Sequence, residues 1–158
     1  MKYLTTTSKA SARAVDCVIV GIYNLGKLSA GATDINTASK GHITDLFKSG
    51  DVSGDGGRVT ILNNVPGVKA SRVAVVGLGK SSEFDISAFR QAVAAAIHAI
   101  SNSKIKQVLN SLTLEPVTGG SPYYLARHTV EAVNDALYRF DQMKSGRKKA
   151  SMPLNTIG

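Results

Sequence analysis

Two short runs, CVIVGIY at residues 17–23 and RVAVVGLG at 72–79, constrain the fold more than any other feature of the chain. Each is apolar at almost every position and rich in β-branched residues, the pattern of a strand covered on both faces. Strands of that kind need helices above and below them, and the segments in between supply the helices. Between residues 28 and 49, Leu28, Ile35, Ala38, Ile43, Leu46 and Phe47 recur at near-helical spacing, with Ser29 as a cap and Gly41 as a break that divides the helix in two. Asp85 caps a second helix in which Phe89, Val93, Ile97 and Ile100 form one apolar stripe, with Arg90 and His98 on another face. Ser121 and Pro122 open a third, with the stripe Leu125, Thr129, Val133, Leu137 and Phe140, running to about Lys144. KYLTTT, RVTILNNVPG and IKQVLNSLTL read as further strands, and SGDVSGDGG is a loop by composition. Strands alternating with helices require crossover connections. The expectation is an α/β domain of three layers, a mostly parallel or mixed sheet with helices on both faces.

A chain of 158 residues suits one domain, and a domain of this size buries roughly 70% of its unfolded surface. Hydrophobic residues at 43% against 19% charged exclude extensive disorder. The single cysteine, Cys17, lies within an apolar run, so no internal disulfide and no cysteine-based metal site can be built, which fits a reducing compartment. No apolar run approaches the roughly 20 residues that span a bilayer, and MKYLTTTSKASARAVD lacks the hydrophobic segment of a secretion signal. The expected location is cytoplasmic, with no membrane partner.

The net charge of +8 is unevenly placed. No acid follows Asp141, whereas Lys144, Arg147, Lys148 and Lys149 do, so these four carry half of the excess and the remainder is 8 − 4 = +4. That stretch reads either as a solvated linker or as an arm contacting nucleic-acid phosphates. The chain accordingly divides into an α/β domain at 1–143 and, at 144–158, a basic linker with the start of a last strand.

Gly77-Leu78-Gly79-Lys80, between a strand and a helix, has the shape that offers backbone N–H groups to an anion. It fails the dinucleotide fingerprint, which puts a glycine where Ser82 stands and a carboxylate near residue 100. It also fails the phosphate-loop pattern, which needs glycine at Ala74. The glycines therefore read as a turn, with a phosphate seat as the alternative. Asp51, Ser53, Asp55 and Gly56 imitate a calcium loop whose twelfth position, Leu62, lacks the bidentate glutamate. His42, His98 and His128 share no i, i+4 spacing, and His128 with Glu131 reads as a helix-flank pair rather than a metal site. No G-x-S-x-G motif occurs, and Cys17 is placed as a small buried hydrophobe. Tyr123 and Tyr124 beside Arg127 read as the anchoring first turn of a packed helix. No catalytic or metal-binding residue is nominated.

Three stretches, GHITDLFKSGDVSGDGG, VAVVGLGKSSEFDISAFRQAV and ALYRFDQMKS, in this order and spacing, resemble the N-terminal domain of the leucyl aminopeptidase (cytosol aminopeptidase) family. The resemblance covers essentially the whole chain. It implies an α/β domain related in fold to macro domains, in which the VGLGK turn carries no catalytic residue. It implies a larger parent enzyme, a hexamer that uses two manganese or zinc ions to remove N-terminal residues from peptides, leucine preferred. In that family the metal ligands and catalytic residues, including the motif NTDAEGR, lie in a C-terminal domain, and nothing like that motif occurs here. The expectation is a non-catalytic piece of a larger enzyme that holds no cofactor of its own, partners the catalytic domain, supports assembly and limits access to the active site. Two alternatives stand beside it: DNA binding through Lys144, Arg147, Lys148 and Lys149, as some bacterial members double as DNA-binding factors, and a macro-domain-like nucleotide or ADP-ribose pocket at the Gly77–Lys80 turn.

Overall fold

A computed structural model describes residues 2–4, 6, 8–143 and 156–157. In chain order the elements are β1 (Lys2–Tyr3), β2 (Cys17–Tyr23), α1 (Ala30–Ala38), α2 (His42–Ser49), β3 (Val59–Asn63), β4 (Arg72–Gly79), α3 (Ile86–Ile100), β5 (Gln107–Asn110), α4 (Pro122–Met143) and β6 (Thr156–Ile157). The strands form one sheet in the order β1-β6-β5-β2-β4-β3. Every pair is parallel except β3 with β4, which run antiparallel from Val59↔Val76 to Asn63↔Arg72. The sheet is therefore mixed, as the alternation of strands and helices implies.

Strand β2 is buried at all seven positions, and its alternate side chains feed two cores. Cys17 and Ile19 join Ala74, Val76 and Val108 on the face covered by α3 and α4, through Phe89, Val93, Ile97 and Val133. Val18, Val20 and Ile22 join Val73, Val75 and Leu109 on the face covered by α1 and α2, through Ala32, Ile35 and Ile43. Burial on both sides is why neither β2 nor β4 needs the polar alternation of a half-exposed strand.

The helix boundaries follow local chemistry. Ser29 Oγ accepts from the Ala32 amide at 3.1 Å and Asp85 Oδ1 from the Ala88 amide at 2.9 Å, capping α1 and α3. Gly41, at φ 89°, separates α1 from α2 in a left-handed conformation that other residues avoid. In α4, Leu125, Thr129 and Val133 are buried and Leu137 is half-buried; the Phe140 side chain lies outside the described residues, as does the 143/144 boundary. Thr156 and Ile157 pair with both β1 and β5.

One strand is shorter than its composition suggests. IKQVLNSLTL forms ladder pairs over Gln107–Asn110, and Leu112–Leu114 is a 3-10 turn. Asn110 Oδ1 accepts from the Leu112 amide at 3.1 Å, and the Ser111 amide and hydroxyl both donate to the Ile19 carbonyl, at 3.1 and 2.5 Å. Polar side chains that take backbone partners, local for Asn110 and on β2 for Ser111, end a strand that apolar composition alone would continue.

Candidate functional site

Both glycine amides at the end of β4 are bonded within the protein. The Gly77 amide donates to the Arg58 carbonyl at 2.7 Å and the Gly79 amide to the Gly54 carbonyl at 2.9 Å. A Cβ on Gly77 would overlap the Asp55 carbonyl, and one on Gly54 would overlap the Tyr23 carbonyl. These glycines permit close backbone approach between β4 and the loop at 53–58, and neither glycine amide is left to receive a phosphate.

The other sequence candidates also resolve into structural roles. In the calcium-like loop, Asp51 accepts from Ser49 at 2.8 Å and Asp55 faces Arg58 at 3.9 Å. His42 opens α2 and His98 is exposed near the end of α3. His128 and Glu131 do face each other, Nδ1 to Oε2 at 3.5 Å, but Arg90 from α3 engages both, at 3.3 Å and 2.8 Å, and also reaches Asp135 at 3.2 Å. The Arg127 hydrogen bond, with the charges of Arg127 and Arg90 behind it, holds the Glu131 carboxyl below its ordinary value. Among the described residues no group of three or more His, Cys, Asp or Glu could hold a metal ion. Cys17 is fully buried, and burial pushes its thiol up to about 12.

Tyr123 and Tyr124 correct the expectation of an anchoring turn. They are 72% and 51% exposed and meet each other edge-on at 5.5 Å, while Leu125 next to them makes the contact with the core. Lys144, Arg147, Lys148 and Lys149 lie outside the described residues.

A well-formed concavity among the described residues lies elsewhere, at the carboxyl ends of β2 and β5. The chain leaves β2 toward one face of the sheet, into α1, and leaves β4 and β5 toward the other, into α3 and α4. Neighbouring strands whose connections diverge in this way leave a crevice between them. Between β2 and β4 the loop at 53–58 roofs it, through Gly54 and Asp55. Between β2 and β5 it opens as a groove of about 760 Å³, walled by Ala30, Gly31 and Asp34 of α1, by Leu109 to Ser111 at the end of β5, by Pro122, Ala126 and Val130 of α4, and by Tyr3, Leu4 and Ala10. Its polar walls are internally bonded: Asp34 accepts from the Ser11 amide at 2.7 Å, and Asn110 Nδ2 donates to Thr129 Oγ1 at 3.3 Å.

Outside the groove lining, next in the chain to Leu114, Glu115 is 9% exposed and ties the start of α1 to the end of β2. One carboxylate oxygen accepts from the Ala30 amide in the first turn of α1 at 2.5 Å, and the other accepts from the Tyr23 hydroxyl at 3.0 Å. Burial, reinforced by the neighbouring carboxylate, raises the Tyr23 phenol well above its ordinary value. Sequence reasoning passed over this site because its parts come from five separate segments and form no local motif.

The model of the cytosol aminopeptidase family, N-terminal domain, matches residues 19–147. A probable cytosol aminopeptidase of Burkholderia ambifaria is 41% identical over 142 residues, covering 90% of this chain; the chain spans 28% of that relative's length. Among solved structures, a mutant of tomato leucine aminopeptidase superposes with a TM-score of 0.73 at 18% identity, covering 99% of this chain and 32% of that one. The macrodomain of Mycobacterium tuberculosis DarG gives 0.64 at 10% identity, covering 98% and 95%. At such identities these two establish the fold alone. The family match and the sequence relatives go further: this chain belongs to the cytosol aminopeptidase family, as its N-terminal domain.

Proposed function

We propose that this domain is a non-catalytic part of a metal-dependent aminopeptidase, and that the longer polypeptide removes N-terminal residues from peptides in the cytoplasm, leucine preferred. The observation that carries this reading is the match to the family's N-terminal domain by a chain that spans 28% of its relative's length. Two manganese or zinc ions would supply the chemistry, polarising the scissile carbonyl and providing hydroxide near neutral pH. The donor sets among the described residues do not fit such ions, since no three candidate ligands converge. On this reading the ions belong to the remaining part of the longer protein, and no step runs through this domain. Its own role is to support a hexameric assembly and to limit access to the active-site chamber.

Hydrolysis of leucyl p-nitroanilide with added manganese tests the division of labour. The 158-residue chain alone is expected to give no turnover above a blank, and the longer protein to give turnover that a chelator abolishes; turnover by the chain alone overturns the reading. Deleting residues 1–143 from the longer protein is expected to lower the number of subunits per particle, read by light scattering. An intact hexamer with unchanged kcat/KM would remove the assembly and access role.

A further inference from the structure

Exposed apolar side chains are ordinary when scattered and informative when gathered. Among the described residues the exposed large hydrophobic ones are Leu4, Leu25, Leu114, Tyr123, Tyr124 and Tyr138. Leu4 follows β1, Leu25 follows β2 and Leu114 follows β5, strands that all run parallel through β6, so the three leucines share the carboxyl end of the sheet. Tyr123 and Tyr124 open α4 at that same end, beside Pro122 on the groove wall, and Tyr138 stands roughly four turns further along the helix. Leu25 carries the most weight. It is 99% exposed at φ 67°, a left-handed conformation that suits glycine and not a bulky side chain. Its turn is fixed, with the Tyr23 amide donating to the Lys27 carbonyl at 2.7 Å and the Ser29 amide to the Gly21 carbonyl at 2.9 Å. A strained, bulky residue held out on a fixed turn is accounted for by a contact beyond the domain. The groove alongside is apolar on Leu4, Leu109, Leu114, Pro122, Ala126 and Val130, and its two charged residues, Lys9 and Asp34, are of opposite sign. Strand β6 shows what lies nearest. It runs between β1 and β5, with Ile157 opposite both Tyr3 and Val108, and its carboxyl end points to the same side as the leucines.

We propose that this end of the sheet, with Leu4, Leu25, Leu114, Tyr123 and Tyr124 around the groove, is the surface on which the part of the longer polypeptide that follows this domain docks, through apolar side chains of its own. The assignment rests on the reading of this chain as the N-terminal 28% of such a polypeptide, whose remainder then follows β6 and starts beside these residues. It does not rest on the aminopeptidase activity.

The test uses the longer protein, with the photo-cross-linker p-benzoylphenylalanine in place of Leu25, of Leu114 or, at the opposite end of the sheet ahead of β5, of Lys104. After irradiation, peptide mapping is expected to find residues beyond 158 joined to position 25 or 114, with the denatured protein still running as a single chain and with little capture from position 104. A band of doubled mass would overturn the proposal, because a second copy would then be the occupant. No capture from either leucine position would overturn it too, as would equal capture from position 104. If circular dichroism shows that the probe at Leu25 unfolds the protein, position 114 decides by the same criteria. Cross-links are read whether or not the protein hydrolyses leucyl p-nitroanilide, so an inactive protein that still cross-links defeats the aminopeptidase reading and leaves the docking surface standing.

Discussion

The hydroxyl of Ser111 stands where a Cβ on Gly31 would have to go, so α1 reaches the end of β5 only because residue 31 has no side chain. Alanine would gain roughly 1 kcal/mol of helix propensity. Forcing it against a serine that is bonded to the Ile19 carbonyl costs about 1–3 kcal/mol in overpacking. Gly31→Ala is therefore expected to lower Tm by a few degrees in a thermal melt, whereas Gly56→Ala, with nothing within 4 Å, should be neutral.

Gly77→Ala carries a heavier penalty, because the obstructing atom is the backbone carbonyl of Asp55 and not a mobile side chain. The expected loss is about 2–3 kcal/mol by denaturant titration, together with faster proteolysis in the loop at 53–58. Unchanged stability would mean that the loop does not rest on β4.

Tyr23 should make the fold sensitive to alkali. Burial, then Glu115, raises its phenol above the ordinary 10.0. A group whose value is raised on folding contributes stability below its unfolded value and loses it as pH climbs through the folded one. Melts are thus expected to weaken from about pH 10 upward. Tyr23→Phe should flatten that decline. At neutral pH it should cost about 1–3 kcal/mol by leaving a Glu115 oxygen unpaired.

The linkage at Glu131 has the opposite sign. Its carboxyl lies below the ordinary 4.5, so its contribution is complete above that pH and fades as pH falls through the lowered value. Glu131→Gln should lower Tm slightly at neutral pH, with the difference vanishing in acid and shrinking at high salt, since these pairs face solvent.

Cys17 should be silent toward Ellman's reagent in the native protein and release one thiol in guanidinium. Its burial and raised value of about 12 leave almost no thiolate at neutral pH. Native labelling faster than global unfolding would show that β2 opens locally.

Much of the architecture was legible because it was written in short-range patterns. Ser29, Gly41 and Asp85 act through neighbours within four residues, and the stripe from Phe89 to Ile100 repeats at helical period. The end of β5 was not legible, because Asn110 and Ser111 stop the strand through bonds to Leu112 and Ile19 while apolar residues continue to Leu114. Tyr123 and Tyr124 were read by residue type, but their exposure depends on how α4 is rotated against the sheet, which Leu125 and Val133 decide. The groove lay furthest from view: Glu115 meets Ala30 across 85 positions, and nothing near either residue announces the meeting.

The margin of the sheet where β1 meets β6 joins Lys2 to Thr156, through strands of two residues each. Closing so long a segment of chain for so few ladder bonds gives little return until β5 is already in place. This margin is therefore expected to be the last part of the sheet to assemble and the first to exchange its amide protons, with β2 and β4 holding theirs until the molecule unfolds as a whole.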